Sequence, residues 1–240
     1  RQITKARSSV SLANNRLMAC CSTAAANNTI TLMTAASPAE LEQVVARVQE
    51  TYALRRDITA SFTQTFVDNL SGTRRVEAGT LWAQSNGKVR WSYHSPVRKD
   101  FIYDGATAYF YEPDNAQVTV FERFEDSQLS RVVRFLWGQG DLMSTFDMSP
   151  CDAQCGVGLE HELLLALRPK QVIPSIQRVV LAVDVRTARI GRSVVYDPLG
   201  NSTEYALSDL RFDMAIDDKK FDFKVPDGVS VLRAAMAGKP

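Results

Sequence analysis

The sequence predicts a mainly β protein in which one long antiparallel sheet is combined with two helical elements. Short β-type runs follow one another along most of the chain, turn signals separate them, and only two segments have the period of an amphipathic helix. Because no helices alternate with the strands, crossovers between parallel strands are not expected. A sheet of this length must curl to bury its inner face.

Residues 1–36 differ in composition from the rest of the chain. Ser, Ala, Thr and Asn dominate there, and the only charged residues are basic. This composition is typical of a leader, a tag remnant or a disordered extension. We therefore expect one folded domain over residues 37–240.

The first helix is predicted to begin at Ser37. Ser can cap a helix, Pro38 suits the first helical position, and Glu40 completes a capping box. Apolar side chains follow at helical spacing and form one stripe: Leu41, Val44, Val45, Val48 and Tyr52.

Eleven strands are predicted between the turn signals. Asn86-Gly87 and Asp104-Gly105 are each predicted to form a two-residue hairpin turn, because both central positions of a type I′ turn need positive φ. Longer turns are expected at 112–115 and 197–201. The predicted strands are 58–68, 76–84, 88–94, 99–104, 107–112, 117–123, 161–168, 177–185, 190–197, 203–212 and 219–224.

A second helix is predicted over about 127–137, between the sixth and seventh strands. Asp126 or Ser127 can cap its beginning. One face of this helix is apolar and carries Leu129, Val132, Val133 and Leu136. A short helical or irregular piece is expected to follow through Leu142 and Phe146.

Charge and hydropathy argue against two classes of partner. The 28 Lys and Arg residues are balanced by 27 Asp and Glu residues, whereas a nucleic-acid-binding protein needs a basic excess to neutralise phosphates. No nucleic-acid partner is therefore expected. The most apolar runs are only as long as a strand, far short of the roughly 18 residues that span a bilayer, so a soluble protein is expected.

The cysteines and histidines do not form a metal motif. Cys151 and Cys155 can form a disulfide or remain as two thiols, and neither His94 nor His161 has a partner at a metal-ligand spacing. No metal site is predicted. The sequence also lacks the nucleophile elbow, the phosphate-binding loop, the dinucleotide fingerprint and the zinc-protease motif, so no catalytic residue and no cofactor are predicted.

The segment 88–93 alternates between apolar and polar side chains. Val89, Trp91 and Tyr93 share one face of the predicted strand, and polar residues occupy the other. Two interpretations are compatible with this pattern. The apolar face either packs on the protein's own helices or lines a cavity for a lipid, with the second helix as a lid.

A series of short motifs lies between Ala60 and Val229, within a resemblance that covers about residues 38–232. In chain order they are Ala60-Ser61-Phe62-Thr63-Gln64, Gly79-Thr80-Leu81-Trp82, Val89-Arg90-Trp91, Ser95-Pro96, Tyr103-Asp104-Gly105, Tyr109-Phe110-Tyr111-Glu112-Pro113, Leu165-Ala166-Leu167-Arg168-Pro169, Asp197-Pro198-Leu199-Gly200, and the stretch from Phe221 to Val229. In order and spacing they resemble the LolA family of periplasmic outer-membrane lipoprotein carriers. The resemblance implies an unclosed antiparallel β-barrel with an α-helical lid and an apolar cavity for acyl chains.

The same resemblance implies a function and partners. The expected protein is a monomeric periplasmic carrier, not an enzyme, that uses no cofactor. It would take acylated lipoproteins from an inner-membrane lipoprotein-releasing ABC transporter to an outer-membrane acceptor, and Cys151 and Cys155 would be joined in that oxidising compartment. The alternatives are a lipoprotein-sensing or membrane-anchored acceptor of the same fold, and a lipid-processing enzyme.

The resemblance also implies which residues contact the ligand. The predicted acyl cavity comprises Trp82, Val89, Trp91, Tyr93, Phe101, Tyr109 and Tyr111. The second helix would be the lid, through Leu129, Val132, Val133 and Leu136. Ser85 stands where family members usually carry an Arg that ties the lid to the barrel, which predicts a lid more open at rest.

Overall fold

The computed structural model describes residues 38–55, 57–122, 124, 142–151, 155, 159 and 161–235. Its helices are α1 (Pro38–Ala53) and α2 (Leu142–Thr145). Its strands are β1 (Asp57–Val67), β2 (Arg74–Gln84), β3 (Val89–Ser95), β4 (Lys99–Tyr103), β5 (Thr107–Glu112), β6 (Gln117–Glu122), β7 (Phe146–Pro150), β8 (Glu162–Pro169), β9 (Arg178–Asp184), β10 (Arg189–Tyr196), β11 (Ser202–Phe212) and β12 (Ser230–Ala235).

All twelve strands form one unclosed sheet in the order β12-β6-β5-β4-β3-β2-β1-β11-β10-β9-β8-β7. Every neighbouring pair is antiparallel except β12 with β6, which is parallel. The strands from β1 to β6 and those from β7 to β11 each form a meander, and the pairing of β1 with β11 joins the two. The predicted mainly β class and the unclosed sheet are confirmed.

The sheet is strongly curled. Trp91 on β3 and Tyr205 on β11 are separated by two intervening strands, which in a flat sheet would place their backbones about 14 Å apart. Their ring centroids nevertheless lie 5.1 Å apart, in an edge-to-face arrangement. The side chains converge because the sheet is concave on this face, which we call the concave face; the opposite side is the outer face.

Helix α1 packs against the concave face at the end of the strands that carries the β9–β10 turn. The hydroxyl of Tyr52 accepts a hydrogen bond of 3.0 Å from the backbone N of Ile190, and its ring meets Phe212 edge to face at 5.5 Å. Arg47 donates to the backbone oxygens of Val185 and Arg186, at 3.0 and 3.1 Å. Burial raises the pKa of Tyr52 to about 12.

The apolar stripe predicted for this helix is the part that is buried. Leu41, Val45, Val48 and Tyr52 belong to the main core together with residues of both meanders. The predicted first helix is therefore confirmed. The predicted second helix, over about 127–137, lies outside the described residues. None of the described helices is long and apolar enough to cross a membrane.

All predicted strands except 219–224 are present, each within two residues of its predicted bounds. The segment 219–224 alternates like a strand, but Asp218–Lys220 forms a 3-10 turn and the chain then crosses the outer face. Two strands, β7 and β12, were not predicted. β7 has only five residues and includes Pro150, and β12 pairs in parallel with β6 through a non-local contact that the sequence pattern does not reveal.

Cys151 and Cys155 are joined by a disulfide. The bridge lies on the outer face, where both cysteines pack against Leu164, Val180 and Ala182. Of the alternatives left open by the sequence, the disulfide is thus the one that the structure contains. The loop that it closes is short.

Gly79 provides a test of strand packing. A Cβ atom at this position would collide with the backbone oxygen of Ser92 and would lie 2.7 Å from the Phe62 ring. We expect Gly79→Ala to lower the free energy of unfolding by about 3 kcal/mol, measured by urea denaturation. Gly191→Ala is the matched control, because its Cβ would meet only Glu162 Oε1 at 3.5 Å. Equal stabilities of the two variants would contradict this packing.

The disulfide should contribute little to stability. Closing a loop of about five residues corresponds to about 2 kcal/mol of chain entropy. We expect the double variant Cys151→Ser/Cys155→Ser to remain folded, with an unfolding free energy lower by no more than that amount. A protein that no longer unfolds cooperatively in urea would show that the bridge is essential.

Candidate functional site

The register of the strands determines which side chains share the concave face. Trp91 lies opposite Leu81 on β2 and Phe101 on β4, and Phe101 lies opposite Phe110 on β5. Side chains of directly opposed residues point to the same side of a sheet. Since Trp91 contacts Tyr205 across the curl, all of these side chains belong to the concave face.

The concave face carries a cluster of rings that we call the aromatic floor: Phe62, Trp91, Tyr93, Phe101 and Tyr205. The centroid of Phe62 is 5.0 Å from both Trp91 and Tyr93. Phe62 and Trp91 are buried, whereas the other three rings keep part of their surface accessible. Apolar surface is thus present on the concave face in a form that a ligand can contact.

Four of the predicted cavity residues come together on the concave face. Val89, Trp91 and Tyr93 alternate along β3 as expected, and Phe101 joins them from β4. Val89 is only 4% exposed and lies in the packed core. The accessible members of this group are Tyr93 and Phe101.

The other three predicted residues, Trp82, Tyr109 and Tyr111, lie on the outer face. Trp82 is opposite Arg90, and Tyr109 is opposite Ile102. These positions alternate with the concave-face residues of the same strands. The structure therefore does not bring these three residues together with Trp91.

The C-terminal segment 213–229 covers the outer face at these positions. Its Phe223 packs between Tyr109 and Tyr111, with centroid distances of 5.1 and 5.4 Å. Nζ of Lys220 lies 4.3 Å from the centroid of the Trp82 ring. These aromatic residues are therefore part of a second apolar layer formed with the protein's own chain.

The position of Trp82 follows from the length of one turn. The backbone N of Gln84 donates to the oxygen of Lys88 at 2.9 Å, so three residues lie between the paired positions. Gly87 supplies the positive φ, at 89°. A two-residue turn at Asn86-Gly87 would have placed Trp82 opposite Trp91, but one additional residue moves Leu81 there instead.

The sequence prediction missed three aromatic residues of the concave face, namely Phe62, Tyr205 and Phe110. Local alternation identifies one of them, Phe110. It lies between Tyr109 and Tyr111, so alternation places it on the opposite face from both. Phe110 pairs with Phe101 on β4. A two-residue turn at Asp104-Gly105 would also place Phe110 on the same face as Phe101. The signal that identifies Phe110 was therefore present in the sequence.

Polar groups lie at the end of the aromatic floor away from α1. Tyr93 donates from its hydroxyl to Gln64 Oε1 at 2.7 Å, and Lys99 Nζ donates to Glu77 Oε1 at the same distance. Burial, aided by the Glu77 carboxylate, raises the pKa of Tyr205 to about 12. Burial also raises the pKa of Tyr93. Both phenols are neutral donors at physiological pH.

The other features considered in the sequence lie away from the aromatic floor or outside the described residues. The predicted lid residues lie outside the described part of the chain. Ser85 is exposed in the β2–β3 turn. Arg90 points to the outer face, where Nη2 forms an ion pair of 3.2 Å with Asp100 Oδ2. Within the described residues, no three His, Cys, Asp or Glu side chains are arranged to hold a metal ion.

The fold and the site define a class of protein: an unclosed, curled β-sheet with an accessible aromatic concave face. The model of the family described as "Outer membrane lipoprotein carrier protein LolA" matches residues 55–224. The chain belongs to this family, and the resemblance drawn from the sequence motifs is confirmed.

Relatives extend over most of the chain. The outer-membrane lipoprotein carrier protein of Bordetella avium (strain 197N) is 29% identical over 195 residues, which cover 81% of this chain and 86% of the relative. That of Nitrosomonas europaea is 29% identical over 174 residues, covering 72% and 81%. Among solved structures, an uncharacterized conserved protein from Thermus thermophilus is similar in fold, with a TM-score of 0.52 at 11% identity, covering 81% of this chain and 99% of that chain.

The division between the two faces predicts opposite effects at neighbouring residues. Tyr111→Ala removes the contact with Phe223 and should lower the unfolding free energy by about 2 kcal/mol, with little change in the binding of an apolar dye. Phe110→Ala should weaken dye binding because it removes ring surface from the concave face. Unfolding in urea and dye titration measure the two effects. Weaker dye binding by Tyr111→Ala alone would contradict the assignment of faces.

Proposed function

We propose that this protein is a periplasmic carrier that shields the acyl chains of lipoproteins on its concave face. It takes them from an inner-membrane lipoprotein-releasing ABC transporter and delivers them to an acceptor in the outer membrane, as a monomer and without a catalytic step. The observation that carries the proposal is the aromatic floor, on which rings from three separate regions of the chain converge while part of their surface stays accessible. Membership of the LolA family and the names of the relatives support the choice of cargo.

A carrier of this kind must bind hydrocarbon without binding it too tightly. Each buried methylene contributes about 0.8 kcal/mol, so two chains of about 16 carbons represent roughly 25 kcal/mol of transfer free energy. That value exceeds the limit of about 18 to 21 kcal/mol for non-covalent complexes. A carrier that retained most of it would never release its cargo. A partly exposed aromatic floor gives a moderate affinity for the acyl chains. Both uptake from the transporter and release to the acceptor require such an affinity.

The ligands bound to the protein in cells provide the direct experiment. Protein purified from the native periplasm should carry acylated peptides or whole lipoproteins, which mass spectrometry identifies. Free fatty acid together with ester hydrolysis in vitro would favour a lipid-processing enzyme instead. Fractionation with the membranes in the absence of cargo would favour an anchored acceptor.

A charge on the aromatic floor should abolish acyl binding. Phe101 is partly exposed on the concave face, so in Phe101→Glu a bound chain must either desolvate the carboxylate or stay away from it. We expect binding of a fluorescent palmitoylated peptide to weaken at least tenfold, with the unfolding transition retained. Val89 is less suitable for this test because it lies in the packed core.

The matched control is Thr63→Glu, which adds the same charge to an exposed outer-face position of β1. Its affinity for the palmitoylated peptide should stay within twofold of the unmodified protein. If Phe101→Glu and Thr63→Glu bind the peptide equally well, the concave face is not the acyl site.

A further inference from the structure

The concave face changes from apolar to polar along the strands. Near α1 the facing residues are apolar, and at the other end each of five neighbouring strands contributes a polar group. This group of side chains, which we call the mouth cluster, comprises Gln64, Glu77, Tyr93, Lys99 and Tyr205.

The mouth cluster contains a largely buried ion pair. Lys99 Nζ and Glu77 Oε1 are 2.7 Å apart, and the two side chains are only 20% and 10% exposed. Nζ also lies 4.5 Å from the centroid of the Tyr93 ring. Burying such a pair removes both charges from water, and apolar residues of similar size often stabilise a fold equally well. Stability is therefore a weak explanation for this pair.

Two donors of the mouth cluster have capacity left for a ligand. The ammonium group of Lys99 has three hydrogens, and one is used by Glu77. Tyr205 contacts Trp91 through its ring, and its hydroxyl makes no hydrogen bond with any other described residue. Lys99 is two positions along β4 from Phe101, a distance of about 7 Å, and the ring of Tyr205 is itself part of the aromatic floor.

Open space lies near the Tyr205 side of the mouth cluster. A cavity of about 390 Å³ lies at the same end of the sheet, and Phe66, Val195 and Thr203 contribute to its lining. Thr203 is two residues before Tyr205 on β11, and Phe66 is two residues after Gln64 on β1. The cavity therefore lies beyond the Tyr205 side of the mouth cluster, about 7 Å along β11 from that residue.

We propose that Lys99 Nζ and the Tyr205 hydroxyl form a polar subsite that binds the carbonyl oxygens of ester-linked or amide-linked acyl chains. The hydrocarbon lies on the aromatic floor, and the carbonyl group at its end accepts hydrogen bonds from these donors. The group beyond the carbonyl extends into the cavity. This subsite rests on the proposed function in one respect, namely that hydrocarbon occupies the concave face.

The test compares two probes that differ only in their carbonyl groups. One is a fluorescent diacylglyceryl peptide with two palmitoyl esters, and the other is the same peptide with two hexadecyl ethers. The full-length protein should bind the ester about tenfold more tightly than the ether. Tyr205→Phe keeps the ring on the aromatic floor and should reduce this preference, measured as the ratio of the two affinities, about three- to tenfold.

Two further variants separate the subsite from general effects on the fold. Glu77→Gln/Lys99→Met removes both charges together, so that neither is left buried alone, and it should also reduce the ester preference. Tyr109→Phe is the matched control, because its ring packs against Phe223 on the outer face and the loss of its hydroxyl should leave the preference unchanged. The ester preference is the ratio of two affinities measured on the same protein. A smaller fraction of folded protein lowers both affinities equally and leaves this ratio unchanged.

The outcomes distinguish this inference from the proposed function. Equal binding of ester and ether by the unmodified protein would overturn the subsite and leave acyl binding intact. A preference that survives in both Tyr205→Phe and the double variant would overturn it as well. Failure to bind either probe would overturn the proposed function and the subsite with it.

Discussion

The pairing of β1 with β2 on one side and β11 on the other is the constraint on which the rest of the structure depends. It joins two meanders into one sheet, so the right-handed twist of each accumulates across twelve strands and the sheet curls. Only in a curled sheet can Trp91 meet Tyr205 across two intervening strands. The same curl lets α1 pack at one end, where Tyr52 bonds to Ile190.

Both faces of strands β2 to β6 carry large apolar side chains, but the two faces are covered to different extents. On the outer face, Ile102 and Val118 are completely buried, in the part of the sheet that the C-terminal segment with Phe221 and Phe223 covers. On the concave face, Phe101 keeps accessible surface. The many aromatic residues of these strands therefore fall into two groups. Those on the outer face pack against the protein's own chain, and those on the concave face keep surface that a ligand can contact.

In the proposed carrier function, the apolar and the polar groups of the concave face have different tasks. Hydrocarbon contact supplies affinity without direction, because burial of apolar surface depends on area alone. Hydrogen bonds supply direction, because their strength depends on geometry. The ring of Tyr93 beneath Lys99 offsets part of the cost of placing that charge away from water. In the mode of binding that we propose, the ligand has one orientation and still a moderate affinity.

The sequence by itself determined the helix with Leu41 and Tyr52, nearly all the strands, the family, and the shared face of Val89, Trp91 and Tyr93, because these depend on local periodicity and ordered motifs. The tertiary structure alone decided the face of Trp82, because a three-residue turn ending at Gly87 reverses the alternation that a two-residue turn would give. It also decided the parallel pairing of β12 with β6 and the meeting of Glu77 with Lys99 across β3, because both depend on which strands become neighbours and in which register they pair.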